Sequence, residues 1–76
     1  MMKFKMLDER EFEGDTYEAI VAAMAGEKMT EVRSNRSYRE ATARRVVDLY
    51  SINLDTETDE KFVRSMVNTG LMEKVS

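Results

Sequence analysis

The sequence predicts a small single domain of the α+β class spanning residues 1–76, with three helices packed on one face of a two- or three-stranded antiparallel sheet. The N-terminal residues alternate between apolar and polar side chains, which is typical of a half-buried strand. Three later segments repeat apolar residues at the spacing of amphipathic helices. A chain of 76 residues is also too short for more than one hydrophobic core. The predicted order is β-β-α-α-(β)-α-β, in which the bracketed strand is optional.

The first two elements are predicted to form a β-hairpin. Residues Met2–Met6 alternate with a period of two, and Asp8–Glu9 suit a tight turn. The short run Glu11–Glu13 then supplies a return strand. This pairing places Phe12 on the same face as Phe4.

The first helix is predicted to begin at Asp15, whose side chain caps the N-terminus with Glu18 as its capping-box partner. Gly26 is the expected end. The residues after it are expected to connect to the second helix and to place Met29 and Val32 against the core. The apolar stripe of this helix consists of Tyr17, Ile20, Val21 and Met24.

The second helix is predicted to begin at Ser37, because Ser37 and Glu40 form the S-x-x-E pattern of a capping box. Ser34 is an alternative start one turn earlier. Glu40 and Arg44 are expected to form an ion pair along the helix. The face expected to be buried carries Tyr38, Thr42, Val46 and Leu49.

The third helix is predicted to begin at Thr58, with Asp59 and Glu60 in its first turn, where the helix dipole favours anions. Gly70 is its expected end. Its apolar stripe consists of Phe62, Val63, Met66 and Val67.

Two further segments are predicted to be extended. The alternation at Ile52 and Leu54 favours either the optional strand, which would be very short, or an extended strut. Leu71, Met72 and Val75 favour a final strand that pairs with the hairpin.

The composition argues against catalysis and against a metal site. The chain has no Cys and no His, so it offers neither a thiolate nor an imidazole. The run from Asp55 to Asp59 has the spacing of a calcium loop, but Glu60 and Met66 occupy the positions that need Gly and Glu. We therefore expect no enzymatic activity, no cofactor and no metal.

The sequence also bears on location and assembly. No apolar run approaches the length of a membrane span, and the first residues lack the apolar core of a signal peptide. We therefore expect a cytoplasmic protein with no membrane partner. Either a monomer or a homodimer is compatible with the sequence.

Charge is segregated along the chain, whose net charge is −3. The acidic and basic blocks of the chain either neutralise one another across the fold or present separate faces to partners. The candidate partner-binding acids are Glu9, Glu11, Glu13, Asp55, Glu57, Asp59 and Glu60. The candidate nucleic-acid-binding bases are Arg33, Arg36, Arg39 and Arg44. The three on the second helix, Arg36, Arg39 and Arg44, are expected to face solvent.

A series of short sequence stretches runs through nearly the whole chain. They are Phe12-Glu13-Gly14, Ile20-Val21 with Met24, Tyr38 to Val46, Ile52 to Thr56, Lys61-Phe62 and Gly70-Leu71. This series resembles small proteins of phages, plasmids and other mobile elements that have no assigned activity. The resemblance implies no catalytic residue. It implies a genomic setting in which small acidic proteins include inhibitors of host defence systems, such as anti-CRISPR proteins.

These observations predict a non-enzymatic interaction protein of a mobile element that binds and inhibits a host protein or nucleoprotein complex. The acidic residues would act by mimicking nucleic-acid phosphates in a basic groove. One alternative is a small nucleic-acid-binding regulator that uses the arginine-rich second helix. The other is a structural dimerisation module whose Met-rich patch closes on a second copy.

Overall fold

A computed structural model of the chain describes residues 1–26, 31 and 33–75. The described residues form a three-stranded antiparallel sheet and three helices, which confirms the predicted α+β fold. Met29 and Val32, which were predicted to pack against the core, lie outside the described residues. The elements are β1 (Met2–Met6), β2 (Glu11–Gly14), α1 (Tyr17–Ala25), α2 (Asn35–Tyr50), α3 (Asp59–Asn68) and β3 (Met72–Lys74).

The sheet has the order β2-β1-β3, with β1 antiparallel to both neighbours. Phe4 lies opposite Phe12, as predicted, and Met6 lies opposite Met72. Because side chains alternate across a strand, these residues face the helices, and the intervening charged residues face solvent. On the outer face Lys3 is paired with Glu11 at 3.3 Å.

The optional strand does not form. Residues 51–56 have no regular secondary structure, and they pair with no described strand. Ser51 has a φ of 58° at the end of α2, which turns the chain out of the helix. Ile52 and Leu54 are half-buried and pack against the helical core. Their alternation therefore reflects an extended strut between two helices.

The observed caps correct two of the three predicted helix starts. Thr16, and not Asp15, caps α1 by accepting a hydrogen bond from the Ala19 N–H at 3.1 Å. Asp15, the predicted cap, directly follows Gly14, the last residue of β2, so the chain has only just left the strand at that position. A Cβ at Gly14 would lie 2.8 Å from the Ala19 Cβ, so the absence of a side chain lets α1 approach the strand.

The second correction concerns α2, which begins at the alternative start. Ser34 is the N-cap and accepts from the Ser37 N–H at 3.1 Å. The added turn brings Arg36 onto the helix, where it pairs with Glu40 at 3.5 Å. The predicted partner of Glu40 was Arg44, and that ion pair does not form within the described residues. Thr58 caps α3 as predicted by accepting from the Lys61 N–H.

The end of α3 is a Schellman motif. Gly70 donates to the Val67 carbonyl at 3.1 Å, and Leu71 donates to the Met66 carbonyl at 3.0 Å. Gly70 has a φ of +82°, a left-handed conformation that glycine adopts without steric cost. The motif reverses the chain directly into β3 and buries Leu71 against Met66.

The core lies between the sheet and the helices. Its fully buried side chains come from α1 and α3: Phe62, Ile20, Met66, Val21 and Val63. The contribution of α2 is smaller and stops at Val46. Leu49 was predicted to lie on the buried face, but it is 66% exposed because the last turn of α2 extends beyond the core.

Candidate functional site

One concave feature of the described residues is a cleft at one end of the molecule. It lies between the hairpin turn, the C-terminal end of α1 and the inner face of α2, and its volume is about 520 Å³. We call it the α2 cleft. Its apolar walls and floor include Met6, Phe12, Met24, Val46, Met66 and Leu71.

The rim of the α2 cleft carries exposed apolar side chains. Leu7 is 66% exposed in the hairpin turn, and Leu49 and Tyr50 are 66% and 55% exposed in the last turn of α2. The turn is closed by the Met6 N–H, which donates to the Arg10 carbonyl at 2.8 Å, so Leu7 lies outside the strand pairing. The hairpin turn and α2 thus both place exposed apolar side chains around the opening of the cleft.

The α2 cleft also contains a buried polar atom. Thr42 is 9% exposed, and its Oγ1 has no hydrogen-bond partner among the described residues. A hydroxyl buried without a partner loses the hydrogen bonds that it would make with water. Thr42 thus places an unsatisfied hydroxyl in the wall of the cleft, with the oxygen itself shielded from solvent.

The charged groups on the rim differ in their pairing. In the hairpin turn, Arg10 Nε donates to Asp8 Oδ2 at 2.6 Å, and the Arg10 guanidinium lies 5.7 Å from the centre of the Phe12 ring. The Arg10 backbone N–H also donates to Asp8 and lowers the pKa of that carboxyl. On the opposite side, Arg45 is exposed and forms no ion pair within the described residues. Among the described residues of the rim, Arg45 is thus a cation without an ion-pair partner.

One of the four candidate nucleic-acid-binding bases is buried in the structure. Arg39 was predicted to face solvent, but it is 7% exposed. Its Nε donates to the Thr56 carbonyl at 3.1 Å, and its Nη1 pairs with Asp59 Oδ1. Three of the predicted bases remain exposed: Arg33, Arg36 and Arg44.

The same pair places Asp59 in a structural role. Its side chain is 19% exposed and also accepts from Asn35 Nδ2 at 3.2 Å, while Asn35 donates to the Glu18 carbonyl at 3.0 Å. These contacts join α1, α2 and the start of α3. The predicted acidic and basic blocks therefore neutralise one another at this point.

The other acids near α3 are exposed but have local partners. Glu57 accepts from Lys61 Nζ at 3.0 Å, and this hydrogen bond raises the pKa of Lys61. Glu60 pairs with Arg64 at 3.0 Å. Asp55 accepts from the Glu57 backbone N–H at 2.9 Å. Their charges are thus partly offset by neighbouring bases.

The hairpin acids are arranged in a similar way. Glu11 pairs with Lys3, and Glu13 lies opposite Lys3 in the strand register. Glu9 is exposed in the turn with a φ of 71°. The structure places these acids on the hairpin and the others around the start of α3, so the seven candidates do not form one cluster.

Sequence reasoning missed the α2 cleft because its lining comes from five separate elements and from the hairpin turn. The sequence did contain a signal that Arg39 is buried, because Arg39, Thr42 and Val46 share the i, i+3, i+7 spacing of the buried stripe. No comparable signal marked Leu49 as exposed.

Two further findings apply to the described residues. They contain no group of three or more carboxylates arranged to hold a metal ion. None of their helices is both long enough and apolar enough to span a bilayer.

The chain matches no protein-family model, no curated protein and no solved structure. The resemblance to proteins of mobile elements therefore stays a prediction.

Proposed function

We propose that this chain is a non-enzymatic interaction protein that binds a partner protein through the α2 cleft. The observation that carries the proposal is the grouping of Leu7, Leu49 and Tyr50 around one apolar opening. Large apolar side chains that gather at a concave site are typical of protein-binding surfaces, whereas single scattered ones are not. Burial of each leucine by a partner would contribute about 1.5–3 kcal/mol.

The polar groups of the cleft define the chemistry of the partner. Arg45 favours a carboxylate at the rim, because a guanidinium pairs with a carboxylate through two parallel hydrogen bonds. The proposed occupant is therefore a protein segment with apolar side chains and an adjacent carboxylate.

We further propose that the chain acts in the cytoplasm on a host protein or nucleoprotein complex and inhibits it, as anti-CRISPR proteins do. The support for this role is the resemblance to proteins of mobile elements together with the net charge of −3. An inhibitor of this kind acts by occupying a surface, so it needs a contact face and no reactive group.

The test compares retention of proteins by the native chain and by two variants. Leu49→Asp places a charge on the rim of the α2 cleft, and Val47→Asp is the matched control. Val47 is 41% exposed on the same helix but lies outside the cleft. Each immobilised chain is incubated with host lysate to which a differently tagged copy of the native chain has been added.

We expect proteins that bind the native chain and the Val47→Asp variant but not the Leu49→Asp variant. Equal retention by all three chains of every bound protein, the tagged copy included, would contradict the proposed function. Loss of host growth inhibition, or of interference with a host defence activity, in the Leu49→Asp variant alone would support the inhibitory role.

The mimicry mechanism needs a different test, because Asp59 is committed to Arg39. Reversal at Asp59 would leave Arg39 buried beside a second cation and would destabilise the fold. Glu9→Lys combined with Glu57→Lys is the suitable variant, since both residues are exposed. If mimicry operates, this variant loses affinity for the complex while the Leu49→Asp variant retains it.

The nucleic-acid alternative now depends on the exposed arginines Arg33, Arg36 and Arg44. The pairing of Arg36 with Glu40 weighs against it. A salt-sensitive mobility shift with DNA that is lost in the Arg36→Glu, Arg44→Glu variant would favour it over the cleft.

A further inference from the structure

The last turn of α2 carries the chemistry that the α2 cleft is proposed to bind. Asp48, Leu49 and Tyr50 are exposed there, and Arg45, Asp48 and Leu49 share one face of α2 at the i, i+3, i+4 spacing, although Asp48 also borders the groove beside Val47. This turn projects because the buried residues of α2 stop at Val46 while the helix continues to Tyr50. The molecule therefore has both a protruding apolar turn and an apolar cleft at the same end.

A surface that carries both a protrusion and a matching recess is complementary to itself. In a two-fold symmetric contact, each residue of one copy meets a residue of the other, and the reverse contact follows by symmetry. We infer that the occupant of the α2 cleft is a second copy of this chain, which inserts Leu49 and Tyr50 while receiving the same residues from the other copy. This inference rests on the proposed function, because it names the partner that the cleft binds.

The charges at this end of the molecule are compatible with such a dimer. Arg45 and Asp48 lie three residues apart on α2, so both are near its last turn. An antiparallel crossing of two α2 helices about a two-fold axis brings Arg45 of each copy towards the partner's Asp48. The remaining rim charges, Asp8 and Arg10, already pair within one chain and present no net charge to the second copy.

The size of the chain supplies a second reason to expect self-association. A domain of 76 residues buries a smaller fraction of its surface than a large one, and oligomerisation is one way to bury more. Three of the large apolar side chains that are exposed in the described residues, Leu7, Leu49 and Tyr50, line the α2 cleft, where a second copy would cover them. The dimer leaves the acids that surround the start of α3 outside the contact.

Sedimentation velocity and light scattering at micromolar concentration test the inference. We expect a mass of twice 8.8 kDa for the native chain and for Val47→Asp. The Leu49→Asp variant is expected to dissociate with a Kd raised about tenfold or more, because it places a carboxylate in an apolar contact. Leu49 is 66% exposed in the single chain, so the variant should keep the native circular dichroism spectrum.

The charge contact has a separate test that a general loss of folding cannot imitate. Arg45→Glu alone should weaken the dimer, since it places two carboxylates together. Adding Asp48→Arg to the same chain should restore the dimer, because the pair is then reversed. Failure of the double variant to recover would overturn the contact between Arg45 and the partner's Asp48.

The two proposals fail in distinguishable ways. A native chain that stays at 8.8 kDa and does not retain its own tagged copy overturns the dimer. If such a chain still retains host proteins that the Leu49→Asp variant loses, the α2 cleft remains a protein-binding surface with a different occupant. If the Leu49→Asp substitution changes neither mass nor retention, both proposals are wrong.

Discussion

Arg39 and Asp59 form the most buried ion pair of the described residues. A buried charge is tolerated only when its hydrogen-bonding groups have partners, and Arg39 meets this need with Asp59 and the Thr56 carbonyl. The pair joins α2 to the start of α3, so it restrains the angle between these helices. Removal of Asp59 alone would leave the Arg39 guanidinium in the interior as a cation without a counter-charge.

We expect Asp59→Ala to lower the free energy of unfolding by about 3 kcal/mol, because it strands the Arg39 guanidinium. Glu60→Ala is the matched control. It removes a neighbouring acid from the same helical turn, but its pair with Arg64 is exposed, so the loss should be about 0.5 kcal/mol. Urea unfolding of both variants measures the difference, and equal losses would contradict the structural role of Asp59.

Asp8 makes the hairpin turn sensitive to acid. Hydrogen bonds from the Arg10 backbone N–H and then from its side chain lower the pKa of Asp8 below the usual 3.8. Because the folded pKa lies below the unfolded one, the carboxylate stabilises the fold above pH 3.8, and this contribution is lost as the pH falls through the folded pKa.

An NMR titration of the Asp8 carboxyl should therefore show a midpoint below 3.8. In the Arg10→Gln variant the midpoint should rise part of the way back, because the side-chain bond and the positive charge are gone while the backbone N–H remains. An unchanged midpoint in that variant would show that the guanidinium has no influence on Asp8.

At the level of elements, the reversal from α3 into β3 depends on one backbone conformation. Nothing lies within 4 Å of a Cβ added at Gly70, so a side chain there would meet no obstacle. The cost of a substitution would come from the φ of +82° alone.

We expect Gly70→Ala to destabilise the fold by about 1–2 kcal/mol and Gly70→Asn by less, since asparagine tolerates the left-handed region better. Thermal unfolding followed by circular dichroism would rank the three chains. If alanine is tolerated as well as glycine, the Schellman motif does not require this conformation.

The elements differ in how far the sequence predicts them. Thr58 and Gly70 were predicted correctly, because caps and left-handed stops depend on residues a few positions apart. The start of α2 was ambiguous between Ser34 and Ser37, as both are adequate caps and only the packed structure selects the earlier one. The start of α1 was displaced by the extent of β2, a pairing that local sequence does not specify.

At the scale of the whole molecule, one core joins sheet and helices, so unfolding should be a single cooperative transition. Ile20 is fully buried in α1. We expect Ile20→Val to lower the free energy of unfolding by about 1 kcal/mol through the loss of one methylene group. Far-UV circular dichroism and tyrosine fluorescence should give coincident urea transitions in both chains. Separate midpoints would mean that the sheet and the helices unfold independently.

The fold class was predictable because hydrophobic periodicity and turn residues act within short segments. The candidate site was not, because it depends on how segments meet. Leu49 has the spacing of a buried residue and becomes exposed only because the core ends before the last turn of α2. Arg39 has the chemistry of a surface residue and is buried only because Asp59 meets it from another helix.

The outer face of the sheet bears on how large an assembly this chain can form. Lysines of β1 lie opposite glutamates of β2 and β3, and both edge strands are very short. Short, charged edges resist the stacking that leads to fibres. The exposed apolar side chains that are grouped around a concave site lie at the α2 cleft, and a molecule that associates through one such surface stops growing once that surface is covered. High protein concentration should accordingly give discrete particles and clear solutions, with no gels or filaments.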